Sequence, residues 1–404
     1  MAEAIDSFED LIEPFQRRGV DLGLERLQQA LADLGHPERR FAAVQVAGTN
    51  GKGSICTLVH GALLAAGIRT GLYTSPHLRC WTERIRIGAV PIAASALRQQ
   101  LERALPVARR HDLTPFELVT AAAFLAFAAA ELELVVLEVG LGGRLDATSC
   151  HPGREVVGFA SIGRDHAEVL GPDLTAIATE KAGVLQAGTV AVSAPQAPEV
   201  EAVLTAAAQR CGAQLQWRQP LDLQTWPLGL PGAIQAANGA VALGMLEALR
   251  QRGWPLEEAA IRRGFANARW PGRLQQLPWR GLPLLIDGAH NLPAAVALRR
   301  EIDQAPEQHG LTAGPQRWVL GMLAHKDGAD ILRALLRPGD QAWIVPVAGH
   351  ASWSREQLAE ACPELAGQLQ AADDLASALA AAARDWPARL VVAGSLYQLG
   401  ELLA

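Results

Sequence analysis

Cysteine is scarce in this chain. Its 404 residues include five cysteines. They lie far apart in the sequence, and no two form a C-x-x-C pair. Structural zinc sites and disulfide frameworks both need cysteines at close, repeated spacings. The sequence therefore indicates neither kind of stabilisation.

Long apolar runs are also missing. The longest, residues 118–130, is rich in alanine and is flanked by Glu117 and Glu131, whereas a membrane-spanning helix needs about 20 apolar residues. We interpret this run as a buried core helix. The N-terminal stretch MAEAIDSFED is acidic and lacks the basic start and apolar run of a signal peptide. We therefore expect a cytoplasmic protein that does not bind membranes.

Positive charge shows no excess. Lys and Arg together number 36 and Asp and Glu 42, which gives a formal net charge of −6. Broad binding to nucleic acid needs a surplus of Lys and Arg that displaces counterions, so we expect no nucleic-acid partner. Half of the residues are apolar, as in packed globular domains. A chain of this length favours two domains.

Short apolar segments alternate with helical patterns from about residue 40 onward. This alternation predicts a mainly parallel sheet that is covered by helices on both faces. The predicted strands are 41–48, 132–140, 155–163 and 188–194, and the predicted helices are 53–66, 93–108, 115–131 and 197–210.

A second series of the same kind begins near residue 283. Its predicted strands are 282–288, 317–323, 341–347 and 388–395, and its predicted helices are 293–304, 328–337, 354–361 and 372–384. The stretch between the two series, residues 270–283, is rich in Pro, Gly and Trp, and we interpret it as a hinge. We therefore predict two domains, residues 1–275 and 276–404.

A glycine-rich turn, AGTNGKGS at residues 47–54, follows the first predicted strand and leads into an apolar helix. Such a turn at a helix N-terminus presents backbone N–H groups to phosphate. Lys52 would neutralise the β- and γ-phosphates, and Ser54 offers a hydroxyl to Mg²⁺ or phosphate. A plain turn is the alternative, but it does not need a lysine between two glycines. The predicted phosphate-binding residues are Thr49, Asn50, Gly51, Lys52, Gly53 and Ser54.

This turn differs from the common phosphate-loop pattern G-x-x-x-x-G-K-[ST]. It is shorter, and a glycine stands between the lysine and the serine. The chain also contains no N-K-x-D motif for reading guanine. These two features favour ATP as the nucleotide.

More motifs follow along the chain. They are TSPHL at 74–78, ERIRI at 83–87, LEVGLGGRLDAT at 137–148, DHAEVLG at 165–171, EKAG at 180–183, PGR at 271–273, DGAHN at 287–291, GML at 321–323 and GSLY at 394–397. In these motifs, which extend over nearly the whole chain, the sequence resembles the folylpolyglutamate synthase/dihydrofolate synthase family, a branch of the Mur-type ligases. The resemblance implies an N-terminal P-loop domain of the Mur-ligase ATPase type, with a mainly parallel sheet, and a smaller C-terminal Rossmann-like α/β domain.

The resemblance also implies an activity. Family members are ATP-dependent amide ligases that join L-glutamate to 7,8-dihydropteroate or to tetrahydrofolates through an acyl phosphate. Amide formation from a carboxylate requires activation, and ATP provides it by phosphorylation. The expected cofactors are ATP and one or two Mg²⁺ ions, with a monovalent cation such as K⁺ as a further candidate.

The matching motif positions imply the metal ligands Ser75, Glu138 and His166. Oxygen ligands with an imidazole suit Mg²⁺, and Glu138 ends an apolar strand, where open α/β sheets place their ligands. Taken alone, such a glutamate is more often a surface residue and a lone histidine more often structural. In the family, the lysine at the position of Lys181 carries a carbamate that acts as an extra anionic group near the metal. From the residues alone, an ordinary helical lysine is the alternative.

Lys52, Lys181 and His290 are the expected catalytic residues. Asn238 lies in an apolar helical pattern, where an unpaired amide would be costly, so it either contacts ATP or is a satisfied core amide. The remaining candidates for ATP are Arg273, which could clamp phosphate with two hydrogen bonds, and Asp287; those for glutamate are His290 and Ser395.

Two further motifs belong to the pterin side. DLGLER at 21–26 and TPFE at 114–117 resemble family motifs, and Phe116 offers an aromatic face to a flat ring. The predicted pterin or folate residues are Asp21, Leu22, Gly23, Leu24, Thr114, Pro115, Phe116, Glu117, Leu145, Asp146 and Ala147. Because the first motif is associated with members that accept dihydropteroate, we predict both activities. The same residues also fit the start of an amphipathic helix.

Other interpretations stay open at this point. They are a folylpolyglutamate synthase without dihydrofolate synthase activity, a Mur-type enzyme that adds an amino acid to a peptidoglycan precursor, and a P-loop kinase. Arg164, directly before the Asp-His motif, departs from the family pattern and could compete for the metal's carboxylates or bind phosphate. We expect small-molecule substrates and a monomer, since two domains would already enclose the site.

Overall fold

The structure is a computed structural model that describes residues 8–386 and 388–403. Residues 1–7, which carry most of the acidic N-terminal stretch, lie outside the described residues. The chain divides into two units, Met1–Leu230 with Gln235–Arg269, and Pro231–Ile234 with Trp270–Ala404. This division lies slightly before the predicted boundary at 275/276. The segment 231–234 joins the second unit, where the Ala233 N–H donates to Glu301 Oε2 at 2.8 Å.

An eight-stranded sheet organises the first unit. Its strands are β1 (Ala42–Ala47), β2 (Thr70–Tyr73), β3 (Ile85–Ile87), β4 (Val90–Pro91), β5 (Leu134–Glu138), β6 (Arg154–Phe159), β7 (Val190–Ser193) and β8 (Gln214–Trp217). Their order is β4-β3-β2-β5-β1-β6-β7-β8. The pairs β2–β3 and β3–β4 are antiparallel, and the other neighbouring strands are parallel. The predicted mainly parallel sheet is confirmed. The strand β1 lies inside the sheet and is almost wholly buried, as helix-covered parallel strands are.

Helices cover this sheet. They are α1 (Glu9–Ile12), α2 (Glu25–Asp33), α3 (Lys52–Ala65), α4 (Ala94–Arg110), α5 (Pro115–Ala129), α6 (Ala167–Leu170), α7 (Leu174–Ala182), α8 (Pro198–Cys211), α9 (Gln235–Gln251) and α10 (Glu258–Asn267). The apolar run at 118–130 forms most of α5, which is buried on nearly all sides, so the predicted core helix is confirmed. Within the described part of the chain, every helix is too short or too polar to cross a membrane.

The second unit contains a six-stranded sheet. Its strands are β9 (Gln275–Trp279), β10 (Leu282–Ile286), β11 (Arg317–Leu320), β12 (Gln341–Ile344), β13 (Leu369–Ala371) and β14 (Leu390–Ala393), and its helices are α11 (Leu292–Gln304), α12 (Gly328–Leu335), α13 (Arg355–Ala361), α14 (Leu375–Ala383) and α15 (Leu396–Leu402). The strand order is β13-β12-β11-β14-β10-β9. Neighbouring strands are parallel except β9 and β10.

The predicted hinge at 270–283 is wrong over most of its length, because β9 and β10 form a hairpin there. Arg280 and Gly281 make its two-residue turn with φ values of 46° and 84°, the left-handed conformation that tight hairpins favour. Pro278 lies in β9 at the sheet edge, where a missing N–H is tolerated. Pro278 and Trp279 interrupt the apolar pattern of β9, so this strand is not predicted. Strand β10 lies within the predicted strand 282–288.

Candidate active site

The phosphate loop connects β1 to α3, and two of its glycines are required by their surroundings. Gly48 has a φ of 139°, and a Cβ there would lie 2.7 Å from the Ala160 Cβ. Gly51 has a φ of 100° and immediately precedes α3. A Cβ on Gly51 would overlap the Asn238 side-chain oxygen. The loop is therefore shaped by close contacts with β6 and α9.

Asn238 thus borders the phosphate loop, as the ATP interpretation expects, and it also has an internal partner. Its amide nitrogen donates to Gln235 Oε1 at 2.9 Å, and the residue is 5% exposed. The amide nitrogen therefore has its partner within α9, and the amide oxygen faces Gly51. The core-amide interpretation holds for the amide nitrogen, and the contact with ATP stays a prediction.

Thr49 and Asn50 anchor the loop to the segment after β6. Their backbone N–H groups donate to the Ser161 carbonyl at 2.8 and 3.1 Å, and the Thr49 hydroxyl donates to the Gly163 carbonyl at 2.9 Å. These bonds give Thr49 a structural role in the loop. The first N–H groups of α3 have no acceptor inside the helix and stay candidates for phosphate binding. Gly53 and Ser54 are buried in this first turn.

Two lysine side chains converge on the Gly48 carbonyl oxygen. Lys181 Nζ lies 2.9 Å from it and Lys52 Nζ lies 3.2 Å from it. Lys181 is 5% exposed. Burial, with the nearby Lys52 charge, lowers the pKa of Lys181 to about 7. At neutral pH much of the Lys181 side chain is therefore the uncharged amine, which is the form that reacts with CO₂.

Ser75 and Glu138 also come together, next to this loop. Glu138 ends β5 and is 5% exposed, and its Oε2 accepts the Ser75 N–H at 3.2 Å. Burial raises the pKa of the Cys56 thiol in α3; Glu138 raises it further and Lys52 opposes this. Glu138 and Lys52 therefore both lie within electrostatic reach of the start of α3. A buried carboxylate near a phosphate loop fits Mg²⁺, which prefers oxygen ligands and substrate phosphates.

His166 lies directly before α6 in a left-handed conformation, φ 52° and ψ 39°. Such a conformation is uncommon for residues other than glycine and costs about 1–3 kcal/mol. Its ring nitrogens lie 3.8 Å from Asp165 Oδ2 and 3.7 Å from Glu168 Oε1. Arg164 is exposed. Across residues 8–386 and 388–403, no group of three or more His, Cys, Asp or Glu side chains surrounds a possible ion, so a metal here would also use substrate or water oxygens.

Asp146 organises the glycine-rich loop after β5. Its carboxylate accepts the N–H groups of Gly140, Leu141 and Thr148, each at 3.0 Å, and burial raises its pKa. The expected pterin residue Asp146 is therefore buried within the loop that it holds. Ala147 is buried as well, whereas Leu145 is half-buried.

Phe116 lies against the start of the same loop. A Cβ on Gly140 would lie 2.6 Å from the Phe116 ring, and the ring centroid is 6.0 Å from that of Tyr73. Phe116 is half-buried, so part of its aromatic face stays accessible. Among the predicted pterin residues of this region, Phe116 and Leu145 offer the apolar surface that a flat ring needs.

The motif TPFE begins α5. Thr114 Oγ1 accepts the Glu117 N–H at 3.2 Å, and Glu117 Oε2 accepts the Thr114 N–H at 2.7 Å, which is a reciprocal capping box. Pro115 occupies the first helical turn, where its missing N–H has no cost. The motif at 21–26, whose residues 21–24 are half-buried, meets this helix through Arg26. Arg26 is not among the predicted pterin residues.

The motifs of the second unit meet at the carboxyl edge of its sheet. The Gly288 N–H donates to the Gly272 carbonyl at 2.8 Å, and the Leu274 N–H donates to Asp287 Oδ2 at 2.9 Å. The Arg273 guanidinium packs directly on Gly288. Burial raises the pKa of Asp287, and Arg273 opposes the shift. Asp287 is thus partly occupied with holding its own loop.

His290 and Ser395 lie at the same edge. The His290 Nδ1 is 2.7 Å from the Gly288 carbonyl; a carbonyl only accepts, so Nδ1 carries a proton. Ser395 is 2% exposed, and its hydroxyl accepts the Tyr397 N–H at 3.2 Å as the cap of α15. The Ser395 hydroxyl thus caps a helix, and the His290 ring is held against the Gly288 carbonyl.

We predict that Gly51→Ala weakens ATP binding by about tenfold or more, because the added Cβ both overlaps Asn238 and strains a left-handed backbone, at a cost of about 1–3 kcal/mol. Calorimetric titration with ATP measures this. Gly67→Ala is the matched control: Gly67 has a φ of 77° and open space around its Cβ position, so this variant should lose stability and keep its ATP affinity. ATP binding by Gly51→Ala at wild-type strength would contradict the loop geometry.

A profile of the family described as "Dihydrofolate synthetase, C-terminal domain" matches residues 273–404. The dihydrofolate synthase/folylpolyglutamate synthase of Escherichia coli K12 is 34% identical over 419 residues, which cover 100% of this chain and 95% of that protein. The structure of E. coli FolC in complex with DHPP and ADP is 33% identical, with a TM-score of 0.85 and coverage of 100% of this chain and 97% of the other.

A solved bifunctional folylpolyglutamate synthase/dihydrofolate synthase with Mn, AMPPNP and L-glutamate bound is 32% identical, with a TM-score of 0.85 and coverage of 100% and 99%. The similarity thus extends over the full chain and over the motifs of each unit. This chain belongs to the dihydrofolate synthase/folylpolyglutamate synthase family.

Proposed function

We propose that this protein is an ATP-dependent ligase that adds L-glutamate to 7,8-dihydropteroate and to tetrahydrofolates through an acyl phosphate. The observation that carries the proposal is the convergence of Lys52 and Lys181 on the Gly48 carbonyl, at a phosphate loop that lies within electrostatic reach of Glu138. Lysine ammonium groups that bind phosphate and a carboxylate that can bind Mg²⁺, both near one phosphate loop, suit phosphoryl transfer. The relatives named above support the two acceptors.

The reaction proceeds in two balanced steps. One oxygen of the acceptor carboxylate attacks the γ-phosphorus of ATP, and ADP leaves, which gives the acyl phosphate. The amine of glutamate then attacks the acyl carbon; the C–O bond to phosphate breaks, phosphate leaves, and the amine loses a proton. Lys52 and the N–H groups of residues 51–54 hold the phosphate charge during the first step. When bound, Mg²⁺ would neutralise charge on the transferring phosphoryl group, and Ser75, Glu138 and His166 would hold it.

Lys181 is the proposed carbamate. Its neutral amine adds to CO₂ and releases one proton, which gives a carbamate anion; starting from the protonated lysine, two protons are released in all. This change would relieve the repulsion between Lys181 and Lys52 and place a negative charge beside the Lys52 ammonium. A monovalent cation such as K⁺ is a further candidate ligand of the site.

The substrate assignments follow the described geometry. Phe116 and Leu145 are the proposed surface for the pterin ring, with residues 21–24 beside α5. Asn238 is a proposed ATP contact at the phosphate loop. In the second unit, Arg273 and Asp287 stay candidates for ATP, and His290 is a stronger candidate for glutamate than Ser395, whose hydroxyl caps a helix. We further propose that the protein acts in the cytoplasm as a monomer.

Product analysis by mass tests this function. Purified protein is incubated with Mg-ATP and L-glutamate, and with either 7,8-dihydropteroate or tetrahydrofolate as acceptor. We expect a single glutamate added to dihydropteroate and chain growth on tetrahydrofolate, each coupled to ADP release. Activity on tetrahydrofolate alone would leave folylpolyglutamate synthase as the function. If the protein uses neither acceptor, the proposal is refuted, and Mur-type precursors become the next candidate substrates.

A further inference from the structure

A salt bridge joins the two sequence motifs assigned to the pterin side. Arg26, in the first turn of α2, places its Nη2 atom 3.4 Å from each carboxylate oxygen of Glu117. The same guanidinium donates to the Asp21 carbonyl at 2.7 Å and lies 3.1 Å from Asp21 Oδ2. One side chain therefore ties the turn at 21–24 to the start of α5.

The carboxylate that Arg26 meets is deeply buried. The Glu117 side chain is 4% exposed, whereas Arg26 is 23% exposed. A buried carboxylate needs a charged partner or several hydrogen bonds. Glu117 Oε2 also accepts the Thr114 N–H at 2.7 Å, so the position of Glu117 also defines where α5 begins. Removal of Arg26 would leave this carboxylate without its cation and loosen the cap.

Phe116 lies inside that cap, between the two residues of the capping box. Its ring packs on Gly140, the first residue of the loop that Asp146 holds. The contacts therefore run from Arg26 to Glu117, through the first turn of α5 to Phe116, and on to Gly140.

We propose that Arg26 is a positioning residue for the pterin acceptor: it acts through Glu117 to fix the Phe116 ring and the 21–24 turn. This inference rests on the proposed function and deepens it. A merely structural salt bridge would affect stability and all substrates alike. A positioning role predicts a selective change in the KM for the acceptor.

The test compares steady-state kinetics of Arg26→Met, Arg26→Lys and wild type with 7,8-dihydropteroate, ATP and L-glutamate varied in turn. We expect Arg26→Met to raise the KM for dihydropteroate by about tenfold or more, since one partner of a largely buried charge pair is lost. The KM values for ATP and L-glutamate should stay unchanged. Arg26→Lys keeps the charge and loses the forked geometry, so it should shift the same KM in the same direction by less.

Two further variants make the result specific. Arg218→Met removes the ion pair of a half-buried arginine with Glu247, a more exposed carboxylate of the same unit, and its KM for dihydropteroate should equal that of wild type. In Arg26→Met combined with Glu117→Gln, no buried charge is left unpaired, so the KM should rise less than the product of the single effects predicts.

The outcomes separate this inference from the proposed function. Wild-type protein that uses no pterin acceptor would refute the proposed function and, with it, the positioning role. Active wild type with an unchanged acceptor KM in Arg26→Met would overturn the inference alone. Equal changes in the KM values of all three substrates, with a lowered unfolding midpoint, would also overturn it and make Arg26 a structural residue. If Arg26→Met does not fold, the Arg26→Lys kinetics decide in the same way.

Discussion

Glu138→Gln should lose about 10³-fold or more of the wild-type rate at saturating Mg²⁺, since a metal supplies several kcal/mol of charge stabilisation to phosphoryl transfer. The substitution keeps the size of the side chain, and the amide oxygen can still accept the Ser75 N–H that now lies 3.2 Å from Glu138 Oε2. What disappears is the negative charge that attracts Mg²⁺. Product formation as a function of Mg²⁺ concentration measures the effect.

Glu133→Gln is the control for this experiment. Glu133 precedes the same strand, pairs with Arg69 at 3.4 Å and is 44% exposed. Exposed ion pairs contribute little, so this variant should keep the wild-type rate and Mg²⁺ dependence. If Glu138→Gln turns over at the wild-type rate with saturating Mg²⁺, the assignment of Glu138 as a metal ligand is wrong.

Lys181→Ala should reduce the rate by at least about 10–100-fold, the usual cost of losing a group that supports a metal site. Short carboxylic acids such as acetate should restore part of the activity, because they can place an anion in the space that the carbamate would fill. Rates measured over a range of acetate concentrations test both statements. Full activity of Lys181→Ala without added acid would refute the carbamate.

Lys52→Ala distinguishes the two lysines. Both side chains reach the Gly48 carbonyl, but Lys52 is proposed to act as a cation, so carboxylic acids should not rescue its loss.

The pH dependence supplies a direct check on Lys181. Because burial lowers its pKa to about 7, the amine becomes neutral as the pH rises through that value, and a carbamate signal from ¹³CO₂ should grow there at constant dissolved CO₂. A lysine with its ordinary pKa of 10.5 would give little signal below pH 9.

The sequence predicts most parallel strands of both sheets, because strands covered on both faces are mostly apolar. The runs around β1, β5 and β6 show this, as does α5 with its cap at Thr114 and Pro115. The buried strand β2, TGLY, is not predicted, since its Thr and Gly leave no apolar run. Short edge strands are harder to predict. Strand β4 has two exposed residues and β8 is partly exposed, so neither carries an apolar pattern. Strand β10 lies within the predicted strand 282–288, whereas β9 is not predicted because Pro278 and Trp279 resemble the residues of a linker.

The candidate site shows a similar division. Local motifs locate the phosphate loop, Glu138 and Lys181, since neighbouring residues in the chain define each of them. The Arg26–Glu117 contact joins residues that are 91 positions apart, and no local pattern contains it. Sequence motifs also do not separate ligand contacts from internal ones. Thr49, Asp146 and Ser395 all lie in strong motifs, and the structure uses each of them to hold backbone groups.

Isotope transfer tests the acyl phosphate most directly. The acceptor carboxylate is labelled with ¹⁸O at both oxygens, and the inorganic phosphate released during amide formation is analysed by mass. If the carboxylate attacks the γ-phosphorus, each phosphate carries one ¹⁸O and each amide keeps the other. Phosphate free of ¹⁸O, with amide formed at the normal rate, would contradict carboxylate activation by phosphorylation and with it the proposed mechanism of this ligase.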